Sequence, residues 1–244
     1  MKYTVSILLL LLFFGCKGDP GPAGPTLSGN ITGRVNLYAD NGSRLLDQSG
    51  MQLSIDGSSL SCVTSPDGSW QLTGVSAGIY TLVFSKAGFM TKKVSNIQFV
   101  GGGTYFFGFI SFAQIPPLSV TRLDITGPDS THAFHLRGYV SKADSIDHYI
   151  ALIYDKAPIE ISSTISFLFY DVIFLSHDST AFTFPLNVGA YAKDEYRLAT
   201  GSTLYLRAYA LANYADPNYN SATNKLEIYN PEIPYSNLAS LIVP

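Results

Sequence analysis

The chain holds 244 residues, with 15 Lys and Arg against 18 Asp and Glu, and only 14% of its residues are charged. Clustered positive charge, which binding to a phosphate backbone needs, is missing, so nucleic acid is excluded as a partner. Hydrophobic residues at 46% exclude a wholly disordered chain, two cysteines are too few for a disulfide scaffold, and aromatics reach 13%.

The chain opens with MKYTVSILLLLLFFGC. One cation, Lys2, precedes Val5–Phe14, a stretch of ten residues that is apolar except for Ser6. A hydrocarbon core of about 30 Å takes about 20 residues to span, so this stretch is a signal h-region and not a membrane span. Phe13-Phe14-Gly15-Cys16 resembles the bacterial lipobox, although that motif prefers Leu three residues before the Cys and a smaller residue two before it. The resemblance implies a signal peptide over residues 1–15 and a mature chain that starts at a diacylglyceryl- and palmitate-type acylated Cys16. Several acyl chains, at about 0.8 kcal/mol per buried CH₂, give a stable membrane anchor where one chain is marginal. Losing Lys2 leaves 14 cations against 18 anions, and no later segment is long and apolar enough to span.

Residues 16–28 form a tether. Lys17–Pro25 reads KGDPGPAGP, with Gly at 18, 21 and 24. A collagen triple helix needs this period sustained over three chains, so the stretch reads as a Pro/Gly spacer partly in polyproline II. At about 3.1 Å per residue it reaches roughly 30 Å from the head groups. Lys17 rather than Asp follows the Cys, which by resemblance to lipoprotein sorting rules implies the outer membrane of a Gram-negative cell.

Short strands with turn dipeptides between them then fill residues 29–115. Ile31–Leu37 leads to Asp40-Asn41-Gly42, Met51–Ile55 to Asp56-Gly57, and Leu60–Thr64 to Pro66-Asp67-Gly68. Trp70 and Leu72 share one face of the next strand, and Gly78–Ser85 sets Tyr80, Leu82 and Phe84 on one face. Strands at this spacing, with no helical period, predict a sandwich or barrel. Thr64–Phe89, TSPDGSWQLTGVSAGIYTLVFSKAGF, resembles the carboxypeptidase regulatory-like, transthyretin-type sandwich. Asp67, Gly68, Trp70, Gly78, Tyr80, Leu82, Gly88 and Phe89 take its turn and strand positions, and Gly33-Arg34-Val35 its first strand. The resemblance implies an accessory module without catalytic residues.

Pro116-Pro117 breaks strand ladders and helices alike, which marks a boundary before a second domain over residues 118–244. Its expected strands are Val120–Ile125, Ala133–Val140, Ile146–Tyr154, Ile165–Leu175 as one or two, Ala181–Leu186, Thr203–Leu211 and Lys225–Tyr229. Ile146, Ile150 and Ile153 also share a helical face within 142–155, but the β-branched content favours a strand. Leu198–Asn213, LATGSTLYLRAYALAN, resembles the penultimate strand of fibronectin type III-like domains. Leu198, Gly201 and Tyr205 match the residues that pin that sandwich's corner, and Leu204, Leu206, Ala208 and Ala210 alternate with Tyr205, Arg207 and Tyr209. The expected fold class is therefore all-β, two tandem antiparallel β-sandwiches behind a lipoprotein signal and tether.

Catalytic patterns are sparse. His132 and His135 point to opposite faces of a strand, so they do not share a metal. Ser176-His177-Asp178 are adjacent in sequence, whereas a triad converges from separate elements, and neither G-x-S-x-G nor H-E-x-x-H occurs. The expectation is a non-enzyme without cofactors. Cys62 has no partner once Cys16 is acylated and reads as a small buried hydrophobe, with an intermolecular bridge as the alternative. Asp216, Asn218, Asn220 and Glu227 match the calcium-loop spacing D-x-N-x-N with Glu at position twelve. Ser221 stands where that loop wants Gly, Pro217 stiffens it, and the flanks read as strands, so a solvated Asn/Asp turn is the competing reading.

Twelve of the 16 Tyr follow residue 118, among them Tyr191, Tyr196, Tyr214, Tyr219, Tyr229 and Tyr235 near expected loops. Tyr214 and Tyr219 bracket a loop tip and are the candidates for stacking on a sugar ring or a protein partner. Tyr favoured on half-buried strands is the competing reading. The combined expectation is a lipid-anchored outer-membrane or cell-surface binding module, for glycans in the first instance. A scaffolding subunit of an envelope complex is the alternative, and a hydrolase built on the Ser, His and Asp of the second domain a distant third.

Overall fold

The computed structural model describes residues 27–130, 133–143, 145–162, 164–186, 198–211, 218–220, 223–228 and 234–243. The protein is all-β, with five sheets and no helix among the described residues.

In the first half, β1 (Ser28–Tyr38), β4 (Ser69–Ser76) and β7 (Thr104–Ala113) form one sheet in the order β4-β1-β7. Facing it, β2 (Gln52–Ile55), β3 (Ser61–Val63), β5 (Gly78–Ser85) and β6 (Lys92–Phe99) pair as β3-β2-β5-β6. Alternate residues point inward: Val35, Leu37, Leu53, Trp70, Leu72, Leu82, Phe84 and Phe112 make one buried cluster, as period-2 patterning requires. One pairing departs from the antiparallel expectation, because β1 and β7 run parallel. The chain reverses at each of the six connections from β1 to β7, so β7 arrives beside β1 pointing the same way.

Two glycines carry the local geometry. Gly68 has φ of 84°, and a Cβ there would lie 2.2 Å from the Val35 carbonyl oxygen. Its own carbonyl accepts the Val35 N–H at 2.9 Å, so the Pro66-Asp67-Gly68 turn is stitched to β1. Gly33 faces Trp70 across the ladder, and a Cβ there would meet the indole at 2.6 Å. The ring lies over the glycine and packs edge-on to Phe84 at 6.0 Å.

In the second half, β10 (His148–Asp155), β12 (Phe169–Leu175), β14 (Thr203–Leu211) and β17 (Ala239–Ile242) pair as β12-β10-β14-β17. The facing sheet holds β8 (Val120–Thr126), β9 (Phe134–Val140) and β13 (Ala181–Leu186) in the order β13-β9-β8. Leu123, Leu136, Ile150, Leu152, Phe182 and Leu206 belong to the cluster between them. Gly138 sits under Phe182 as Gly33 sits under Trp70, with an added Cβ 2.0 Å from the ring. The strand reading of Ile146–Tyr154 holds over His148–Asp155, where ladders on both sides satisfy the backbone better than an isolated helix would. Ile165–Leu175 divides into two strands around Leu168, and β17 is an additional strand that the expected set lacks.

A small third sheet is added to this frame. β11 (Ile165–Phe167), β16 (Lys225–Ile228) and β15 (Asn218–Asn220) pair as β11-β16-β15, drawn from the connections before β12 and before β17. Ile165, Phe167 and Ile228 pack with Ala151, Ile153 and Tyr209 from β10 and β14, so these central strands are buried on both faces. Met90 and Ala113 of the first half complete the same cluster, with Tyr38 and Ile115 at its margin. The segment Gln114–Leu118 is pinned rather than loose: Gln114 N–H donates to Tyr38 at 2.9 Å, Ile115 N–H to Gly88 at 2.8 Å, and Leu118 enters the second core.

Candidate functional site

The outer face of β10 and β12 carries an exposed aromatic pair. Tyr149 and Phe174 are directly opposite each other across the ladder, with ring centroids 5.9 Å apart in an edge-on arrangement. Val172 lies two residues along β12 on the same face, opposite Ala151. Tyr149, Val172 and Phe174 are 41%, 48% and 56% exposed, while the alternate residues Ile150, Ile173 and Leu175 are buried. The face is fixed by the sandwich behind it. Ile150, Leu152 and Tyr154 must point into the core, which sends Tyr149 the other way. Leu211, paired with Tyr149 on the β14 side, packs on the third cluster and borders the platform. An apolar ring face with a phenolic hydroxyl beside it stacks on the C–H face of a sugar or on a partner's aromatic side chain, and donates or accepts one hydrogen bond. Composition points to aromatic binding in general, but the sequence marks Tyr149 and Phe174 themselves only as strand residues. Their alternation with Ile150 and Ile173 was the available signal.

Of the residues expected at a site, Cys16, Tyr191, Tyr196, Tyr214, Asp216 and Tyr229 lie outside the described residues. Tyr219 stands in β15, opposite Leu226 of β16. The cation pattern falls on the same hairpin, with Asn218 opposite Glu227 and Asn220 opposite Lys225. Glu227 is buried and accepts a hydrogen bond from Ser166 Oγ at 3.4 Å. Lys225 Nζ is 2.6 Å from Asp155 Oδ2, whose side chain is only 5% exposed and also accepts the Ala157 N–H. Among the described residues no three His, Cys, Asp or Glu gather within metal-binding reach. Tyr235 is no loop-tip platform: its ring packs 5.2 Å from Tyr209, and burial pushes its hydroxyl pKa well above the ordinary phenol value.

His132 lies outside the described residues, and the other three histidines separate. His135 Nε2 is 2.8 Å from Asp129 Oδ2, and His148 is buried. His177 turns to Asp147 and not to its neighbour Asp178, with Nδ1 2.9 Å from Oδ1 and its backbone N–H donating to the same oxygen at 2.7 Å. Hydrogen bonding to Asp147 raises the His177 pKa, and the His177 backbone and ring lower that of Asp147. Both side chains are about half exposed, which makes a solvated surface pair. Cys62 sits mid-strand in β3, half-buried against the first core, and burial raises its thiol pKa.

No protein-family model and no curated protein matches the chain. Among solved structures, a Bacteroides uniformis protein whose given name proposes carbohydrate binding is 14% identical, with a TM-score of 0.32, over 90% of this chain and all of that one. A DUF3823 family protein from Parabacteroides merdae is 16% identical, with a TM-score of 0.30, over 87% of this chain and all of that one. A type II cohesin-X-dockerin complex from Acetivibrio cellulolyticus matches 36% of this chain at 20% identity and a TM-score of 0.31. The chain spans about three fifths of the length of that complex's matched chain, 59%.

Proposed function

We propose that this protein is a non-catalytic, lipid-anchored outer-membrane lipoprotein whose second sandwich binds glycans on the Tyr149–Phe174 face. The exposed aromatic pair carries the reading: Tyr149, Val172 and Phe174 form an apolar patch held outward on β10 and the edge strand β12. The anchor is acylated Cys16, read from the lipobox-like Phe13–Cys16 and the tether after it. The first sandwich is a carboxypeptidase regulatory-like module, supported by the stitched Pro66-Asp67-Gly68 turn and the Trp70 anchor. The second is a fibronectin type III-like module, supported by its division into the sheets β13-β9-β8 and β12-β10-β14-β17. Tyr205, expected to pin that module's corner, packs instead on the third cluster. Tyr214, Tyr219 and the Asp216–Glu227 segment extend the proposal as a second contact region whose binding calcium would strengthen.

A glycan array probed with residues 17–244, with calcium and with chelator, tests this. Saturable binding lost at least tenfold in Tyr149→Ala/Phe174→Ala, at unchanged melting temperature, is the expected result. A blank array with a well-folded sample overturns the glycan reading. The same face then serves the second reading, a scaffolding subunit docked on another envelope protein, which pull-down with the double variant as control identifies.

A further inference from the structure

The first sandwich is electrically lopsided. Its charged residues, among them the Arg34–Asp67 pair, Arg44, Asp47, Lys86 and Lys93, lie away from the start of β1, and Asp56, whose N–H donates to the Thr81 carbonyl at 2.9 Å, stands one residue nearer to it with its carboxylate paired to Lys93. The opposite end consists of the start of β1, the turn between β4 and β5, and the turn between β6 and β7. Residues 27–33, 68–85 and 94–121 contain no Asp, Glu, Lys, Arg or His. That end is not merely neutral. Leu27, Ile79, Val100 and Phe106 are 57%, 71%, 73% and 56% exposed, with Tyr105 beside them. The turns converge on Leu27, whose carbonyl oxygen accepts the Ala77 N–H at 2.9 Å and lies 2.4 Å from where a Cβ on Gly101 would stand. By strand alternation Ile79 faces outward from β5 and Phe106 outward from β7, on the two opposite sheets, while Leu27 and Val100 lie at the tip between them. The end of the sandwich therefore has an apolar tip and rim, a cap of the kind soluble surfaces keep small.

The chain itself indicates what covers the cap. Leu27 is the point at which the sandwich receives the segment from Cys16, eleven residues earlier. Extended at about 3.1 Å per residue, that segment reaches at most about 34 Å, so the cap is the part of the sandwich held nearest the anchored Cys16. We propose that this cap docks on the lipid bilayer, with Ile79, Val100 and Phe106 inserted at the acyl–headgroup boundary and Tyr105 at headgroup level. This rests on the reading of Cys16 as the anchor. The tether is then a leash that lets the cap seat, not a spacer that holds it off. With no cationic residue on the cap, seating is by apolar burial and is insensitive to salt and to anionic lipid.

Tryptophan quenching in vesicles of the full lipidated chain tests the proposal. The native Trp70 is buried in the first core and serves as the background emitter. Val100→Trp on the cap and Ser43→Trp at the far turn supply the reporters. In phosphatidylcholine vesicles with brominated acyl chains, emission from position 100 should fall at least twofold, equally at low and high salt, while position 43 stays unchanged. Adding Ile79→Asp and Phe106→Asp, both at exposed positions, should abolish the quenching while the chain stays vesicle-bound, which separates seating from mere nearness. Absent quenching at position 100, equal quenching at both positions, or quenching that survives the Asp substitutions overturns docking. A blue shift at position 100 without lipid quenching marks a protein-covered surface and also overturns it. Palmitate incorporation at Cys16, measured on the same sample, reads the anchor separately. If Cys16 is not acylated, the anchor reading fails, and the same quenching comparison is made with a Cys62→Ser chain coupled through Cys16 to a maleimide lipid.

Discussion

Removing the ammonium of Lys225 should destabilise the second half of the protein by about 3 kcal/mol. Lys225 Nζ lies 2.6 Å from Asp155 Oδ2, and the two join the third sheet to the end of β10. Taking one partner from a buried pair typically costs about 3–5 kcal/mol, because the remaining charge is left desolvated. The low end applies here for two reasons. Asp155 keeps the Ala157 N–H at 3.1 Å, and the Lys225 side chain is 30% exposed, so water partly replaces it. For a chain of this size each kcal/mol moves the melting temperature by roughly 2–4 °C, so Lys225→Met should melt about 6–12 °C lower. Asp155→Leu/Lys225→Met removes both charges and should recover more than half of that loss, since an apolar pair of similar volume is often neutral against a buried ion pair. Urea unfolding followed by circular dichroism supplies the double-mutant cycle. A cost under about 1 kcal/mol for Lys225→Met, or a double variant as unstable as the sum of the singles, would refute the reasoning.

Two further outcomes follow from particular contacts. His177 should titrate above 6.5 by nuclear magnetic resonance and return to its ordinary range in Asp147→Asn, because the ring's largest perturbation is its hydrogen bond to Asp147. The His177 contribution to stability is complete below pH 6.5 and lost as pH rises through the elevated value, whereas that of Asp147 is present above 3.8 and lost as pH falls through the depressed one. The pair therefore acts most strongly between about pH 4 and 6.5. Gly68→Ala and Gly57→Ala share similar positive φ values, 84° and 73°, but differ in room. A Cβ at Gly57 meets nothing within 4 Å, so that variant should lose about 1 kcal/mol of backbone strain alone. Gly68→Ala must also displace the Val35 carbonyl and should lose at least twice as much in urea unfolding; equal losses would contradict the geometry.

The two sandwiches were legible because their patterns are local. Asp-Gly turns, an aromatic two residues after Gly68, and the 204–210 alternation are each set by neighbours within a few positions, and ladder formation preserves them. Alternation also explains what was missed. In β14, Leu204 and Leu206 face the core, and Tyr205 and Tyr209 face the third cluster; both sets are apolar enough that nothing in the strand says a second layer covers it. β15 and β17 are three and four residues long, too short for a period to register. The parallel β1–β7 pair was hidden for a different reason, since register and direction between strands some 70 residues apart are properties of the whole path. The Tyr149–Phe174 face combines both difficulties. Each residue was correctly placed on a strand, but that they stand opposite each other and outward follows only from the pairing of β10 with β12.

The third cluster bears on whether the Pro116-Pro117 boundary separates independent bodies. Met90 is 8% exposed, yet it belongs to the third cluster and not to the core of its own sandwich. Its burial, worth about 1.5–3 kcal/mol, is realised only when the second half is folded against it, and Ala113 reports the same dependence. The connection adds little freedom, because Gln114 and Ile115 are hydrogen-bonded to the first half and Leu118 is buried in the second. The two halves should therefore melt together in calorimetry as one transition. Met90→Asp removes the shared packing and sets a carboxylate against Ile153 and Tyr209's cluster while leaving both sandwich cores intact, so it should resolve the melt into two transitions. If the unaltered protein already shows two transitions, or Met90→Asp melts in one at an unchanged temperature, the halves are not coupled through this cluster and the boundary acts as a free joint.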